Sequence, residues 1–298
     1  MNVVAANKSK IIADSKFSNY DKCINPYVGC QIGCSFCYVR FFVKDKNHEW
    51  GDFVRVREHI KDKLKPELEK LTSPKRFVIG TMVDPYMPLE AKHKITNKTL
   101  EILKTNQTNV EKVGIFTRSP LVLNDADTIK SLPQGRVHYT ISLFDEDVIK
   151  KIEPITFTKK VRLEAIKQLK DKGVRVHVNL APVIPVLSDH LTEWIADELA
   201  KIEPSEIFID PLQAYGPSYT ALKNAMQNVP AWSAAEKIIT NKEKFETWKI
   251  EYQARWEKAW KPYVNKKTLP LYCDHVKHSR IDLRNGNSLN WDKYDDMP

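Results

Sequence analysis

Through the middle of the chain, short β-branched runs alternate with longer stretches in which apolar residues recur every three or four positions. The short runs predict strands at Arg76–Thr81, Lys112–Thr117, Arg136–Ser142, Val174–Leu180 and Glu206–Asp210, with a first one near Lys22–Tyr27. The longer stretches predict helices at His59–Leu71, Thr96–Lys104, Phe157–Lys172 and Leu191–Lys201, the third followed by Gly173 in the position of a helix C-cap. Strands that alternate with helices bury both faces of a parallel sheet. The expected fold is therefore α/β, a partial (βα)6 TIM-like barrel over residues 22–216 with residues 1–21 as an N-terminal extension. After Gly216 the rhythm changes. Phe245, Trp248, Tyr252, Trp256 and Trp260 recur at spacings of three and four, which predicts a helical, Trp-rich C-terminal extension over residues 217–298 whose aromatic stripe packs on the barrel.

Barrels of this kind do their chemistry at the C-terminal ends of the strands. Those ends carry Thr81 and Asp84, Thr117 and Arg118, Ser142, Asn179 and Pro182, and Asp210 and Gln213. The composition, 42% hydrophobic and 29% charged, is that of a globular chain. No apolar run approaches the roughly 18 residues of a membrane span, and Met1 to Lys16 has no apolar core of signal-peptide length, so a cytoplasmic protein without a membrane partner is expected. The 47 Lys and Arg outweigh the 38 Asp and Glu, giving a formal charge of +9. That bias permits an anionic partner without demanding one, because lysines such as Lys61 and Lys63 alternate with acids such as Asp62.

The cysteines change the picture most. Of five, Cys30, Cys34 and Cys37 fall in one short segment, which argues against a disulfide-stapled secreted framework. Thiolates separated by three and then two residues, with Gly29 and Gly33 freeing the backbone, can wrap an iron–sulfur cube through three of its four irons. The fourth iron is then open to a small molecule. A zinc site of three cysteines and a histidine is the alternative, although the nearest histidine, His48, lies outside the loop. Cys23 and Cys273 remain, and His275 and His278 beside Cys273 leave open a second metal site in the tail.

The three-cysteine spacing, with Phe36 before the last cysteine, resembles the cluster motif of radical S-adenosylmethionine (SAM) enzymes. Asn25-Pro26-Tyr27, the segment from Gly80-Thr81 to Leu89-Glu90, Thr117-Arg118-Ser119-Pro120, Ile152-Glu153-Pro154 and Ala181-Pro182-Val183-Ile184-Pro185 further resemble the spore photoproduct lyase-like subfamily, often labelled DNA repair photolyase. The resemblance implies a [4Fe-4S] cluster on Cys30, Cys34 and Cys37 whose open iron chelates SAM. It also implies reduction by a flavodoxin or ferredoxin, and cleavage of SAM to a 5′-deoxyadenosyl radical that abstracts hydrogen from substrate. The hard chemistry in such enzymes belongs to the cofactors. Carried over position by position, Phe36 lines the cofactor site and Thr81 and Asp84 face the SAM amino group. Ser142 meets the ribose or carboxylate, Arg162 the carboxylate, and Asn179 the ribose or adenine. Each has a plainer reading beside it: Asp84-Pro85 as a turn, Ser142 as a helix cap, Arg162 as a surface arginine and Asn179 as a loop-shaping residue.

The chain also departs from the family pattern. Spore photoproduct lyases carry a hydrogen-donating cysteine at the end of the second strand, where this chain has Gly80. Their motif tyrosine is Phe36 here, with Tyr38 retained after it, and Arg118 stands where relatives have lysine. Tyr38, Arg118 and Cys273 are therefore the candidates for catalytic groups, and thymine-dimer repair is not assigned. A nucleic acid or nucleotide substrate is expected. A small metabolite or peptide is the alternative within the class, and a non-enzymatic iron–sulfur or zinc protein that binds nucleic acid is the alternative outside it.

Overall fold

The computed structural model describes residues 1–6, 9–17, 19–212, 216–274 and 279–282, from 272 onward as backbone only. Among these the strands are β1 (Asn2–Ala5), β2 (Ile12–Asp14), β3 (Lys22–Ile24), β4 (Tyr27–Val28), β5 (Phe53–Val56), β6 (Lys75–Ile79), β7 (Val110–Thr117), β8 (Arg136–Ile141), β9 (Arg175–Val183), β10 (Glu206–Pro211), β11 (Leu269–Asp274) and β12 (Ser279–Asp282). A small sheet has the order β1-β5-β4, and a large one the order β12-β11-β10-β9-β8-β7-β6-β3-β2. In the large sheet β3 and β6 to β11 pair in parallel, with β2 and β12 antiparallel at the two edges. Helices such as Ile95–Thr105, Lys159–Asp171 and Thr192–Ile202 connect the parallel strands, and the whole is a partial TIM-like barrel.

Two details differ from the expected layout. The first strand breaks at Asn25-Pro26: Pro26 has no N–H for a ladder, and the chain leaves β3 to place Tyr27 and Val28 beside β5 in the small sheet. A seventh parallel strand, β11, joins β10 from the otherwise helical C-terminal extension. Its run, beginning Leu269-Pro270-Leu271, is too short to carry a period. Pairing with β10 and burial of Leu269 and Leu271 decide it.

The helical extension buries the expected stripe. Helix Lys242–Trp260 starts at Asn241, whose side chain accepts from the Lys244 N–H at 3.0 Å, and turns Trp248, Tyr252, Trp256 and Trp260 into the core. Phe245 stacks on Trp248 and Trp248 on Tyr252, with ring centroids 5.5 and 4.9 Å apart. None of the helices among the described residues is long and apolar enough to cross a membrane.

Candidate functional site

The three-cysteine loop runs from the end of β4 into the short turn Tyr38–Phe41. Gly29 lies at φ +84°, a left-handed conformation that side chains disfavour, and a Cβ there would strike the Phe53 carbonyl. The loop is tied down by the Ser35 N–H to the Ile152 carbonyl at 2.8 Å and by Arg40 Nη2 to the Cys34 carbonyl at 3.2 Å. Cys30 and Cys34 are buried, Cys37 is partly so, and none forms a disulfide. Burial pushes the Cys30 thiol up to about 12 and the Cys34 and Cys37 thiols above their ordinary value, and the neighbouring thiols add to this at Cys30 and Cys34. Against this, the backbone N–H groups of Asp84 and Ile32 near Cys30, and of Val39 and Arg40 near Cys37, favour the thiolate.

That donor set suits a positively charged iron–sulfur core, which deprotonates thiols outright and takes hydrogen bonds at its sulfurs. A single metal ion is a poorer match. Among the described residues no group of three or more His, Cys, Asp or Glu side chains is arranged to hold one. A cube gives each thiolate its own iron, so the sulfurs need not converge on one point.

Beside the loop, the strand exits carry an ion network. Asp84, after β6, accepts from Thr117 Oγ1 at 2.7 Å, the Arg118 N–H at 2.8 Å and the Tyr86 N–H at 2.9 Å. It thereby ties the β6 exit to the β7 exit, and both its oxygens are engaged within the protein. Burial raises its carboxyl above the ordinary value despite these donors. Arg118, after β7, pairs with Glu153 and lies over the Phe36 ring, 5.6 Å from its centroid. Burial would weaken the Arg118 cation, but Cys34, Glu153, Asp84 and Cys37 hold it firmly protonated.

Glu153 is the centre of the network. It is fully buried and accepts from Arg118, Ser142 and Arg162, and from Thr156 Oγ1 at 2.9 Å. Burial alone would raise its carboxyl, but the two guanidinium groups hold it at about 2. Arg162, also fully buried, spends Nη2 on Glu153 and Thr156 and Nε on the Phe157 carbonyl at 3.0 Å. Its Nη1 has no hydrogen-bond partner among the described residues. An orphaned guanidinium nitrogen in a dry site is a place for an anion.

Opposite, Asn25 donates to Thr81 Oγ1 at 3.2 Å and accepts from the Met82 N–H at 2.8 Å, while Tyr38 Oη donates to the Thr81 carbonyl at 2.6 Å. Tyr27 donates to buried Glu90, which accepts the Thr96 and Asn97 N–H groups at 3.1 and 3.0 Å and so caps the next helix. Gly80, at φ +86°, is closed to a side chain: a Cβ would lie 2.6 Å from Pro85 Cδ and 2.8 Å from the Phe116 carbonyl. Asn179, on β9 between Thr140 and Phe208 in register, is buried.

The structure thus gathers Cys30, Cys34, Cys37, Phe36, Asp84, Arg118, Ser142 and Arg162 around the loop and network, and sets Thr81 and Tyr38 together on the β6 side. Cys273 lies in β11 with only its backbone described, and Gln213, His275 and His278 lie outside the described residues. Sequence reasoning gave no role to Glu153, Asn25 or Arg40. The first two stood inside recognised segments, Ile152-Glu153-Pro154 and Asn25-Pro26-Tyr27, which were the available signal. Arg40 carried none.

This geometry, a partial barrel with a thiol loop and a polar network at its strand exits, defines a class that the sequence comparisons name. The model of the radical SAM superfamily matches residues 24–199. An uncharacterised protein of Methanocaldococcus jannaschii is 32% identical over 200 residues, covering 66% of this chain and 72% of that one. An uncharacterised protein of Mycobacterium tuberculosis is 27% identical over 179 residues, and there the match spans only 50% of the relative. Among solved structures, a spore photoproduct lyase variant aligns with a TM-score of 0.61 at 15% identity over 91% of this chain and 80% of that chain. Spore photoproduct lyase complexed with dinucleoside spore photoproduct aligns with a TM-score of 0.57 at 17% identity over 76% and 67%. The chain belongs to the radical SAM superfamily, a class of enzymes built on SAM and a [4Fe-4S] cluster. Its fold is shared with spore photoproduct lyase.

Proposed function

We propose that this chain binds a [4Fe-4S] cluster through Cys30, Cys34 and Cys37 and SAM across the adjoining strand exits, and acts on a nucleic acid or nucleotide. When bound, these groups supply reductive cleavage of SAM to a radical that takes hydrogen from substrate. The chain's own residues orient and enclose. Arg162, held by Glu153, offers Nη1 to the SAM carboxylate, and Asn179 offers its amide to the ribose or adenine. Ser142 fixes Glu153, and Thr81 lines the β6 side. Asp84 acts through the loops it ties together rather than as a free carboxylate. Phe36 and Arg118 close the space over Cys34 and exclude water.

The observation that carries this reading is a trio of clustered thiols, two of them buried, beside a buried arginine with an N–H group unspent among the described residues. The nucleic acid assignment rests on the +9 charge and on the dinucleoside spore photoproduct held in the complex of the structural relative. Thymine-dimer repair is not part of it, because Gly80 leaves no room for the thiol that relatives use. The test is anaerobic reconstitution with iron and sulfide, then reduction in the presence of SAM. About four irons per chain and formation of 5′-deoxyadenosine are expected, with both lost in Cys34→Ala. A loaded, reduced protein that makes no 5′-deoxyadenosine overturns the proposal.

A further inference from the structure

The turn Tyr38–Phe41 follows Cys37 directly and leaves three aromatic rings in solvent: Tyr38 is 42% exposed, Phe41 51% and Phe42 66%. The rings form one patch, with centroids 5.2 Å apart for Phe41 and Phe42 and 6.3 Å for Tyr38 and Phe42. Both contacts are edge-to-face, at 69° and 76°, so the edge of one ring meets the face of another and ring faces remain for a ligand. The patch sits at the barrel mouth, since Tyr38 Oη holds the Thr81 carbonyl at the end of β6. Clustered exposed aromatics are costly in water and mark a surface kept for a partner.

The charges beside the patch narrow the partner. Lys44 and Lys46 are exposed in the segment that follows. The acid between them, Asp45, is taken up by Arg55 at 2.6 Å and His48 at 2.8 Å. Glu49, also exposed, offsets one of the lysines, so with Arg55 counted against Asp45 the local surface keeps a net positive charge. Ring faces for stacking beside free lysines for phosphates are the two elements of a single-strand binding surface.

We propose that Tyr38, Phe41 and Phe42 are a stacking platform for unpaired bases of a single-stranded or locally opened nucleic acid, delivering a nucleotide to the mouth beside the cluster loop. This rests on the nucleic acid reading above and deepens it. A base buried in a duplex cannot reach the strand exits, so a platform that holds neighbouring bases unstacked favours presentation of the target.

The test is fluorescence anisotropy of the reconstituted protein with a labelled oligo-dT of about 12 nucleotides and, separately, the same strand in a duplex. The single strand is expected to bind more tightly than the duplex. Phe41→Ala/Phe42→Ala is expected to weaken single-strand binding by about tenfold to a hundredfold, the range of one stacked base, with an unchanged salt slope. Phe42→Trp should preserve binding, whereas Phe42→Leu, apolar but without a π face, should not. Iron content and melting temperature unchanged across the set show that the variants are folded. Binding by Phe42→Leu equal to that of the parent, preference for the duplex, or a platform defect seen only when a flavodoxin replaces a chemical reductant would overturn the proposal. Because binding is read without turnover, an absence of 5′-deoxyadenosine would sink the radical SAM reading and leave this result standing.

Discussion

Of two polar layers, one lies within strands β7 to β10 and the other at the strand exits and on the helices that follow, and they differ in the groups that complete them. In the lower layer, Tyr20 Oη meets His138 Nε2 at 2.6 Å, Phe116 stacks on His138 with centroids 4.4 Å apart, and His177 Nδ1 faces Glu206 at 3.2 Å. These residues share a row of the sheet, with Phe116, His138, His177 and Glu206 in register from β7 to β10. The upper layer, reached at Ser142 after β8, binds Arg118, Ser142 and Arg162 to Glu153 but leaves Arg162 Nη1 without a hydrogen-bond partner among the described residues. A buried unsatisfied donor costs about 1–3 kcal/mol. The lower layer is a row of side chains facing one another along the sheet, and the upper one holds a buried guanidinium donor that an anion would satisfy. That guanidinium donor is the observation on which the proposed place of SAM rests.

The strongest way to break that contrast is at Glu153. Glu153→Ala leaves two buried cations uncompensated and should cost about 3–5 kcal/mol in denaturant unfolding. The pH dependence follows with a definite sign. Because the folded-state carboxyl sits near 2, below its ordinary 4.5, its contribution is complete above the ordinary value and disappears as pH falls towards about 2. A stability profile of Glu153→Gln should lack that acid limb, while the raised Asp84 and Glu90 carboxyls act in the opposite direction. A mutant profile parallel to the parent's would show that Glu153 is not the centre of the upper layer.

Gly80→Cys, which places a thiol where the resemblance to spore photoproduct lyases implies one, should destabilise by about 1–3 kcal/mol because of its positive φ and the crowding by Pro85, and should add no turnover. Arg162→Lys keeps the charge but loses the fork that serves Glu153 and a ligand together. SAM affinity in equilibrium dialysis should fall by about tenfold or more. The smallest effect sharpens the comparison from below: Tyr20→Phe removes one hydrogen bond of the lower layer, should cost about 1 kcal/mol, and should leave SAM affinity unchanged. A loss of SAM affinity in Tyr20→Phe equal to that in Arg162→Lys would erase the distinction between the layers.

Much of this arrangement was legible in the chain. The strand runs, the helix ending before Gly173, the aromatic stripe from Trp248 to Trp260 and the thiol spacing all report local periods or local loops, and each appears at or within a few residues of its expected place. The Glu153 network was legible only in part. Arg118, Ser142 and Arg162 stood out by their positions at strand exits and on a helix, but nothing in their spacing showed that one carboxylate joins them.

What the sequence by itself determined is therefore what neighbours along the chain can enforce: an α/β rhythm, a loop that three cysteines and two glycines can close, and a buried aromatic helix. What tertiary structure decided is which distant groups share a charge. Glu153 lies 35 residues from Arg118, 9 from Arg162 and 11 from Ser142, and only the closing of the sheet brings them together. The same closure places Pro85 and the Phe116 carbonyl where a side chain on Gly80 would have to be, and pairs β11 with β10. A period records which face is apolar, whereas pairing of charges and exclusion of a side chain depend on distances that no period encodes.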